Sequence, residues 1–424
     1  MARAVVFSRD ITIVVVSVDA TFIDRPRVLR FRDAISRRTG IPADHVLIAA
    51  THTHNAPATS HSFLSGALPD PIYIDCLEEK IAIAVETALG NREPALVYGA
   101  TIACPPIIGC RRRLSPAGQV YLPGADPDPE WPAEQAIDRD LQFLAVQRRD
   151  GAYLAVIMNV PCHNHVTLTQ STQTYDGDMF DRAGEYLRET IGDDVVVLGL
   201  PAPCGDVTWE TATGAPRMDG RTGVERAHAG GRALATSING GLQAADRWTS
   251  GEVCHITVTE QVSDRSYDES HFCYDGCRGS SPERREQIRE RYDPEEAAVQ
   301  LRAETTCPVE LTGVTIGPYA LITNPAELFS IYGKRIKAAS PHETTLVSEL
   351  TNGYCGYVPT PDAFAHGGYE THRTVYTSRL NKQAGDWIET HSVSLLHDLA
   401  DPTTDSVNRH LQPNRSLNPN EYDV

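Results

Sequence analysis

Val46-Leu-Ile-Ala-Ala-Thr-His-Thr-His-Asn-Ala-Pro57 decides the reading of this chain. Five small or apolar residues run into Thr51 and the pair His52/His54, and Asn55 and Pro57 then break the run. An apolar stretch bounded by turn formers is a buried strand. In open α/β sheets, function gathers beyond the carboxyl ends of such strands. Alternate side chains of an extended chain share a face, so His52 and His54 are expected to point the same way. Two imidazoles at a strand end suggest a metal. A second pair, His163/His165, follows another apolar run, Tyr153–Val160.

The same grammar repeats outward from there. Apolar runs at 5–18, 95–102, 141–147, 195–200, 252–261, 311–323 and 345–350 read as strands. Helical spacing marks 24–39, stopped by Gly40, 71–89, 180–191, 223–245, 282–306, 328–339 and 386–399. Strands and helices alternate, which predicts an α/β fold: a mixed β-sheet core flanked by helices, with a metal site at strand ends. No internal repeat and no linker interrupts residues 1–400, which are expected to form one catalytic domain. Residues 401–424, rich in Asn, Asp and Pro, read as a weakly packed tail. The Gly/Pro/Asp-rich stretch 111–136 reads as a long loop of the kind that carries function.

Composition narrows the partners. A formal net charge of −18 argues against nucleic acid or an anionic membrane surface. No apolar run approaches the roughly 18 residues of a spanning helix. The first ten residues lack signal-peptide character, and the ten cysteines are scattered, so a reducing cytoplasm is the expected location. Cys273/Cys277 beside His271 is the one cysteine spacing that hints at metal, and it lacks the tight pairing of a structural zinc site.

Four strand ends carry chemistry-bearing residues: His52/His54, His163/His165, Asp206/Thr208 and Glu327. Gathered along one sheet edge, they would offer imidazole nitrogens and carboxylate oxygens to a zinc ion with a position left open. Glu327 also has an ordinary reading, as a carboxylate at a helix N-terminus.

Five ordered segments resemble the neutral/alkaline ceramidases. They are Thr51-His-Thr-His-Asn-Ala-Pro57, Asn159-Val-Pro-Cys-His163, Ala202-Pro-Cys-Gly-Asp-Val-Thr208, Asn324-Pro-Ala-Glu-Leu-Phe329, and Asn352-Gly-Tyr-Cys-Gly-Tyr-Val-Pro-Thr-Pro-Asp-Ala-Phe364 with Gly367-Gly-Tyr-Glu370. The resemblance implies a catalytic zinc held by His52, His163, Glu327 and Tyr357. It places His54 beside the metal or against substrate and makes Tyr369 a hydrogen-bond donor to the scissile group. It also expects an arginine from 111–113, of which Arg112 is the choice. The implied reaction is hydrolysis of an amide by metal-activated water.

The sequence departs from the family around the site. Thr208 stands where the family has serine, Trp209 replaces proline, and His165 is an added imidazole that can serve as acid or base. Relative to the family pattern the chain begins without the opening strand. The acidic charge and the absence of an amphipathic anchor favour a soluble small molecule with an N-acyl or related bond over a bilayer lipid. Two other readings stand beside hydrolysis: acyl-transfer or ester chemistry with Thr208 as nucleophile, and a binding protein that kept the fold without the chemistry. An amidohydrolase barrel also begins with His-x-His, but it leaves the 352–364 segment unexplained. The oligomeric state is not legible.

Overall fold

The computed structural model describes residues 1–60, 68–120, 131–169, 175–209, 222–265, 306–373 and 378–401. Residues 282–305 of the helix expected over 282–306, the Cys273/Cys277 pair, and the tail from 402 onward lie outside the described residues; Thr306 itself opens a strand.

Three sheets face a common apolar centre. The first is ordered β1 (Ala2–Ser8), β2 (Thr12–Val18), β3 (Val46–Ala50), with β3 parallel to β2. The second is ordered β4 (Ala95–Ala103), β6 (Asp140–Arg148), β7 (Tyr153–Val160), β8 (Val196–Pro201), with β7 and β8 parallel. The third is ordered β10 (Val253–Ser263), β11 (Thr306–Ile316), β12 (Tyr319–Thr323), β14 (Thr344–Ser348), with β12 and β14 parallel. Two short ladders complete the set: β5 (Ile108–Cys110) with β9 (Val207–Trp209), and β13 (Glu327–Leu328) with β15 (Tyr357–Val358). The expected strand over 311–323 is thus two strands joined at Gly317, whose φ of 59° suits the tight reversal.

Alternation along the strands builds the layers. Val15, Leu47, Ile157, Leu198, Val314, Leu321 and Leu346 point to the shared centre. Their sequence neighbours point outward, each set onto its own helix pair. Val14, Val16 and Ile48 meet Phe31 and Ile35 of α1 (Arg25–Thr39) and Leu77 and Ile81 of α2 (Pro71–Gly90). Phe143, Val156 and Met158 meet Phe180 and Leu187 of α3 (Asp178–Ile191) and Leu234 and Ile238 of α4 (Gly223–Gln243). Leu311, Ile322 and Val347 meet Tyr332 and Ile336 of α5 (Ser330–Ala339) and Ile388 and Leu396 of α6 (Ala384–Ala400). Strands buried on both faces are near-continuous apolar runs, which is why the sequence shows them so plainly. Asp24 caps α1 by accepting from Arg27 N, and Gly40, at φ 76°, closes it.

Each sheet ends in an edge strand beside the next sheet, and side chains satisfy those edges. The Asn159 amide on β7 accepts from Val347 N at 3.0 Å and donates to Val347 O at 3.0 Å, acting on β14 as a strand backbone would. Asn352 does the same for β3: its Oδ1 accepts from Ile48 N at 2.9 Å, and its own N–H donates to Ile48 O at 2.9 Å. Ser17 on β2 donates to Gly199 O on β8 at 2.7 Å. Exposed edges invite mispairing, and a buried edge with unpaired groups is costly.

Asn159→Leu removes both partners of Val347 in a buried setting. At about 1–3 kcal/mol for each unpaired group, the variant is expected to lose at least about 2 kcal/mol. Urea unfolding measures this, and an unchanged midpoint would show that the amide is not a strand surrogate.

Candidate active site

The carboxyl ends of β3, β7, β12 and β14 converge, and there the chain places His52, His163, Glu327 and Tyr357. These ends belong to three sheets rather than one sheet edge, because the sheets fold around a centre instead of lying side by side. His52 is not extended either. Its φ is 62°, a left-handed conformation uncommon outside glycine and often stored at functional sites. Its Nδ1 faces Thr21 O at 2.7 Å; a carbonyl only accepts, so Nδ1 donates there and Nε2 is the ring nitrogen turned to the cluster.

Glu327 is the centre of the group. The helix expected from 328 begins at Ser330, and Glu327 sits before it in β13, opposite Tyr357 in a two-residue parallel ladder. One short ladder therefore sets both side chains. Glu327 Oε1 accepts from Tyr354 Oη at 2.8 Å. Oε2 is buried without a hydrogen-bond partner and lies 3.4 Å from His52 Nε2 and 3.3 Å from His163 Nε2. Tyr357 Oη is 3.3 Å from His163 Nε2. Donors bound to a tetrahedral ion at about 2.0–2.1 Å stand about 3.3–3.4 Å apart. The donor set and its spacing fit a zinc-type cation.

Charge states agree with that fit. Burial, and then the neighbouring Arg111 guanidinium, pushes His163 down to about 3, so its imidazole is neutral at pH 7. Burial works to raise the Glu327 carboxyl, but His52 and His163 hold it well below its ordinary value. Burial pushes the Tyr357 phenol well above its ordinary value; Arg111 opposes this and Glu327 adds to it. Without a cation that phenol keeps its proton.

Around this core the other expected residues separate. His54 Nε2 lies 3.4 Å from His52 Nε2, while its ring stands 6.4 Å from that of His163, against 4.6 Å for His52. Burial, then His52 and His165, keeps His54 neutral. His165 Nε2 is 3.5 Å from Thr208 Oγ1, and β9 carries that threonine opposite Gly109. Tyr369 packs edge-on against Tyr357, with ring centroids 5.5 Å apart.

The guanidinium at the cluster belongs to Arg111, not Arg112. Arg111 Nη1 is 3.2 Å from His163 Nε2, its Cζ is 5.3 Å from the Tyr357 ring centroid, and its Nη2 is buried without a hydrogen-bond partner. Arg112 is wholly buried and faces the other way. It pairs with Glu134 and Glu370 and donates to Gly367 O at 2.8 Å. Adjacent residues on β-like backbone alternate sides, so only one of the two can reach the histidines. Arg113 donates to Trp131 O at 3.2 Å. Glu370 links the two arginines, accepting from Arg111 Nε at 2.6 Å and from Arg112.

Asp206 serves another end. It accepts from Ser330 N at 2.7 Å, Ser330 Oγ at 3.1 Å and Gln135 Nε2 at 2.7 Å, which caps the start of α5. The helix-terminus role that Glu327 offered thus falls to Asp206. Sequence reasoning held Arg111 among the three candidate arginines but chose its neighbour, and it missed two residues: Tyr354, and the buried Glu349, which accepts from Cys204 N at 3.2 Å and Leu328 N at 2.9 Å behind the ligands. Tyr354 sits inside the quoted 352–364 segment and stacks on Phe22 at 4.0 Å between centroids, yet nothing in its spacing points to Glu327.

Tyr354→Phe is expected to weaken metal affinity about 10–100-fold, the usual effect of removing a group that orients a ligand. Gly205→Ala would set a Cβ 2.5 Å from Glu327 O and displace β13, costing about 1–3 kcal/mol of stability as well as bound metal. Metal content after dialysis and the thermal midpoint decide both; full occupancy in each variant would refute this account of how Glu327 is held.

No family model and no curated protein matches the sequence. Among solved structures, the chain is similar to a ceramidase complexed with C2, with a TM-score of 0.71, 16% identity, and coverage of 94% of this chain and 69% of that one. It is also similar to the neutral ceramidase of Pseudomonas aeruginosa, with a TM-score of 0.69, 16% identity, and coverage of 94% and 68%. The chain has the fold of the neutral ceramidases.

Proposed function

We propose that the chain is a zinc-dependent amide hydrolase, a divergent member of the neutral ceramidase family acting on an N-acyl or related bond of a soluble small molecule. The observation that carries this reading is Glu327 Oε2: a buried carboxylate oxygen without a hydrogen-bond partner, at ligand spacing from Nε2 of His52 and Nε2 of His163. A buried charge left without a partner is expensive, and a cation among these donors removes that cost.

His52, His163, Glu327 and Tyr357 would hold the ion. When bound, a zinc of this kind polarises a carbonyl and lowers the pKa of water. Arg111 would supply a fixed positive charge beside the centre and, at Nη2, an N–H without a partner that an amide oxygen gathering charge would take up. Glu370 holds Arg111 in place, and Arg112 holds Glu370. Tyr369, packed against Tyr357, would in this reading donate a hydrogen bond to the scissile group. His54 and His165, both held well below the ordinary imidazole value chiefly by burial, would each present an unprotonated nitrogen as a hydrogen-bond acceptor beside the centre.

The formal net charge of −18 favours a soluble substrate over one held in an anionic bilayer. Among the described residues no helix is long and apolar enough to cross a membrane. Thr208 gives the competing chemistry a specific footing, since its hydroxyl lies beside the imidazole of His165. Acyl-transfer or ester chemistry through that oxygen is the second reading, and Thr208→Val separates the two: hydrolysis by water survives it, a threonine nucleophile does not.

Purified protein assayed on a panel of N-acyl compounds should lose activity on chelation and regain it with zinc. Arg111→Met should lower turnover about 100–1,000-fold with folding intact, the usual effect of removing an oxyanion donor. Arg112→Met should instead lower stability, because the buried Glu134 loses its guanidinium partner and Glu370 is left with Arg111 alone. Hydrolysis that is indifferent to chelation and to Arg111→Met would sink the proposal.

A further inference from the structure

At the opposite end of β3 stands a second group of metal-ligating side chains. Asp44 and His45 lie on the 3-10 turn Ala43–His45, which feeds β3, and His255 is on the edge strand β10 of the third sheet. The five residues of β3 separate His45 from the turn carrying His52, by roughly 20 Å at strand rise. The two groups are therefore distinct.

His45 Nδ1 lies 2.9 Å from Thr12 O. The carbonyl only accepts, so Nδ1 carries the proton and the Nε2 lone pair faces away from the backbone, the arrangement that orients a metal-binding histidine. His45 and His255 meet edge to face, with ring centroids 4.2 Å apart, and His255 Nε2 is 3.8 Å from Asp44 Oδ2. One ligand atom from each of the three residues falls within 4.8 Å of the others, and all three side chains are half-buried. Along β10, Val253 faces the shared centre, so alternation turns His255 toward the first sheet.

We infer that Asp44, His45 and His255 form a second divalent-metal site, of the zinc class, that clips the turn before β3 to the edge of the third sheet. Two imidazoles and one carboxylate are borderline donors that suit zinc and its neighbours rather than calcium or magnesium. Three donors leave one position for water. Small rotations of the half-exposed side chains bring the present spacing to that of a tetrahedral ion. The ion would also cover the edge of β10, which among the described residues has a neighbour on one side only.

The site does not depend on the proposed hydrolase activity, and zinc counting separates the two. Apo protein from chelator dialysis is titrated with zinc against a chromophoric competitor, with far-UV circular dichroism as the check on folding. Wild type is expected to bind two equivalents, His255→Ala one, His163→Ala one, and the double variant none. Asp44→Asn, which keeps the turn, should weaken the equivalent that His163→Ala retains. Cobalt added to His163→Ala should give the visible absorption of a tetrahedral or five-coordinate nitrogen–oxygen site, and His255→Ala should abolish it in that background. A His163→Ala protein that binds no zinc, or a His255→Ala protein that still binds two equivalents, would overturn the inference. A wild type that binds one equivalent, lost in His255→Ala and kept in His163→Ala, would uphold this site and count against the hydrolase centre.

Discussion

Three buried sheets cannot meet around one core unless their edge strands find partners other than each other. The Asn159 side chain solves this between the second and third sheets by standing in for a strand backbone along Val347. Asn352 solves it between the first and third, and Ser17 between the first and second. A leucine at Asn159 would pack well and still leave two buried peptide groups without partners. The candidate active site depends on these joints, since it is assembled from loops that leave three different sheets. Only if the sheets are locked at their carboxyl ends do His52, His163 and Glu327 keep their spacing.

From those joints the constraint passes inward in short steps. Val347 is followed by Ser348 and Glu349, and Glu349 accepts the backbone N–H groups of Cys204 and Leu328. Leu328 O in turn accepts from Gly205 N at 2.9 Å, and Glu327 is its neighbour. The carboxylate is thereby fixed through its own backbone, through β15 on one side and residues 204–205 on the other. Tyr354 then occupies one of its oxygens, which leaves the other for the centre. Arg111 is held with similar economy: two arginines share Glu370, and the outer one, Arg112, is itself tied to Glu134 and to the backbone of Gly367. Among the described residues of this region, Glu327 Oε2 and Arg111 Nη2 are the buried charged atoms left facing the centre without a hydrogen-bond partner.

Much of this was readable in the chain. Doubly buried strands announce themselves as apolar runs, and helix ends at Asp24 and Gly40 follow from local backbone chemistry. His52, His163, Glu327 and Tyr357 each stand just beyond an apolar run or inside a segment resembling the ceramidases, so their meeting was expected. Local pattern was less able to say which of three consecutive arginines turns inward. That depends on where Glu134, Glu370 and His163 lie, and none of them is near in sequence. Asp206 and Glu327 looked alike for the same reason, as acidic residues after apolar strands, until packing gave one to the helix and the other to the histidines.

Local pattern alone was enough for the long strands and helices, their alternation, and the residue types available for a metal, because periodicity and capping act over a few residues; the two-stranded ladders that carry Thr208, Glu327 and Tyr357 were not among them. Tertiary structure alone decided that the strand ends come from three sheets rather than one, that His52 leaves the extended conformation, and that Arg111 faces the site while Arg112 braces it. It also brought His255 to Asp44 and His45 across the seam between two sheets. Those outcomes turn on satisfying buried edges and charges with partners remote in the chain, which no local pattern records.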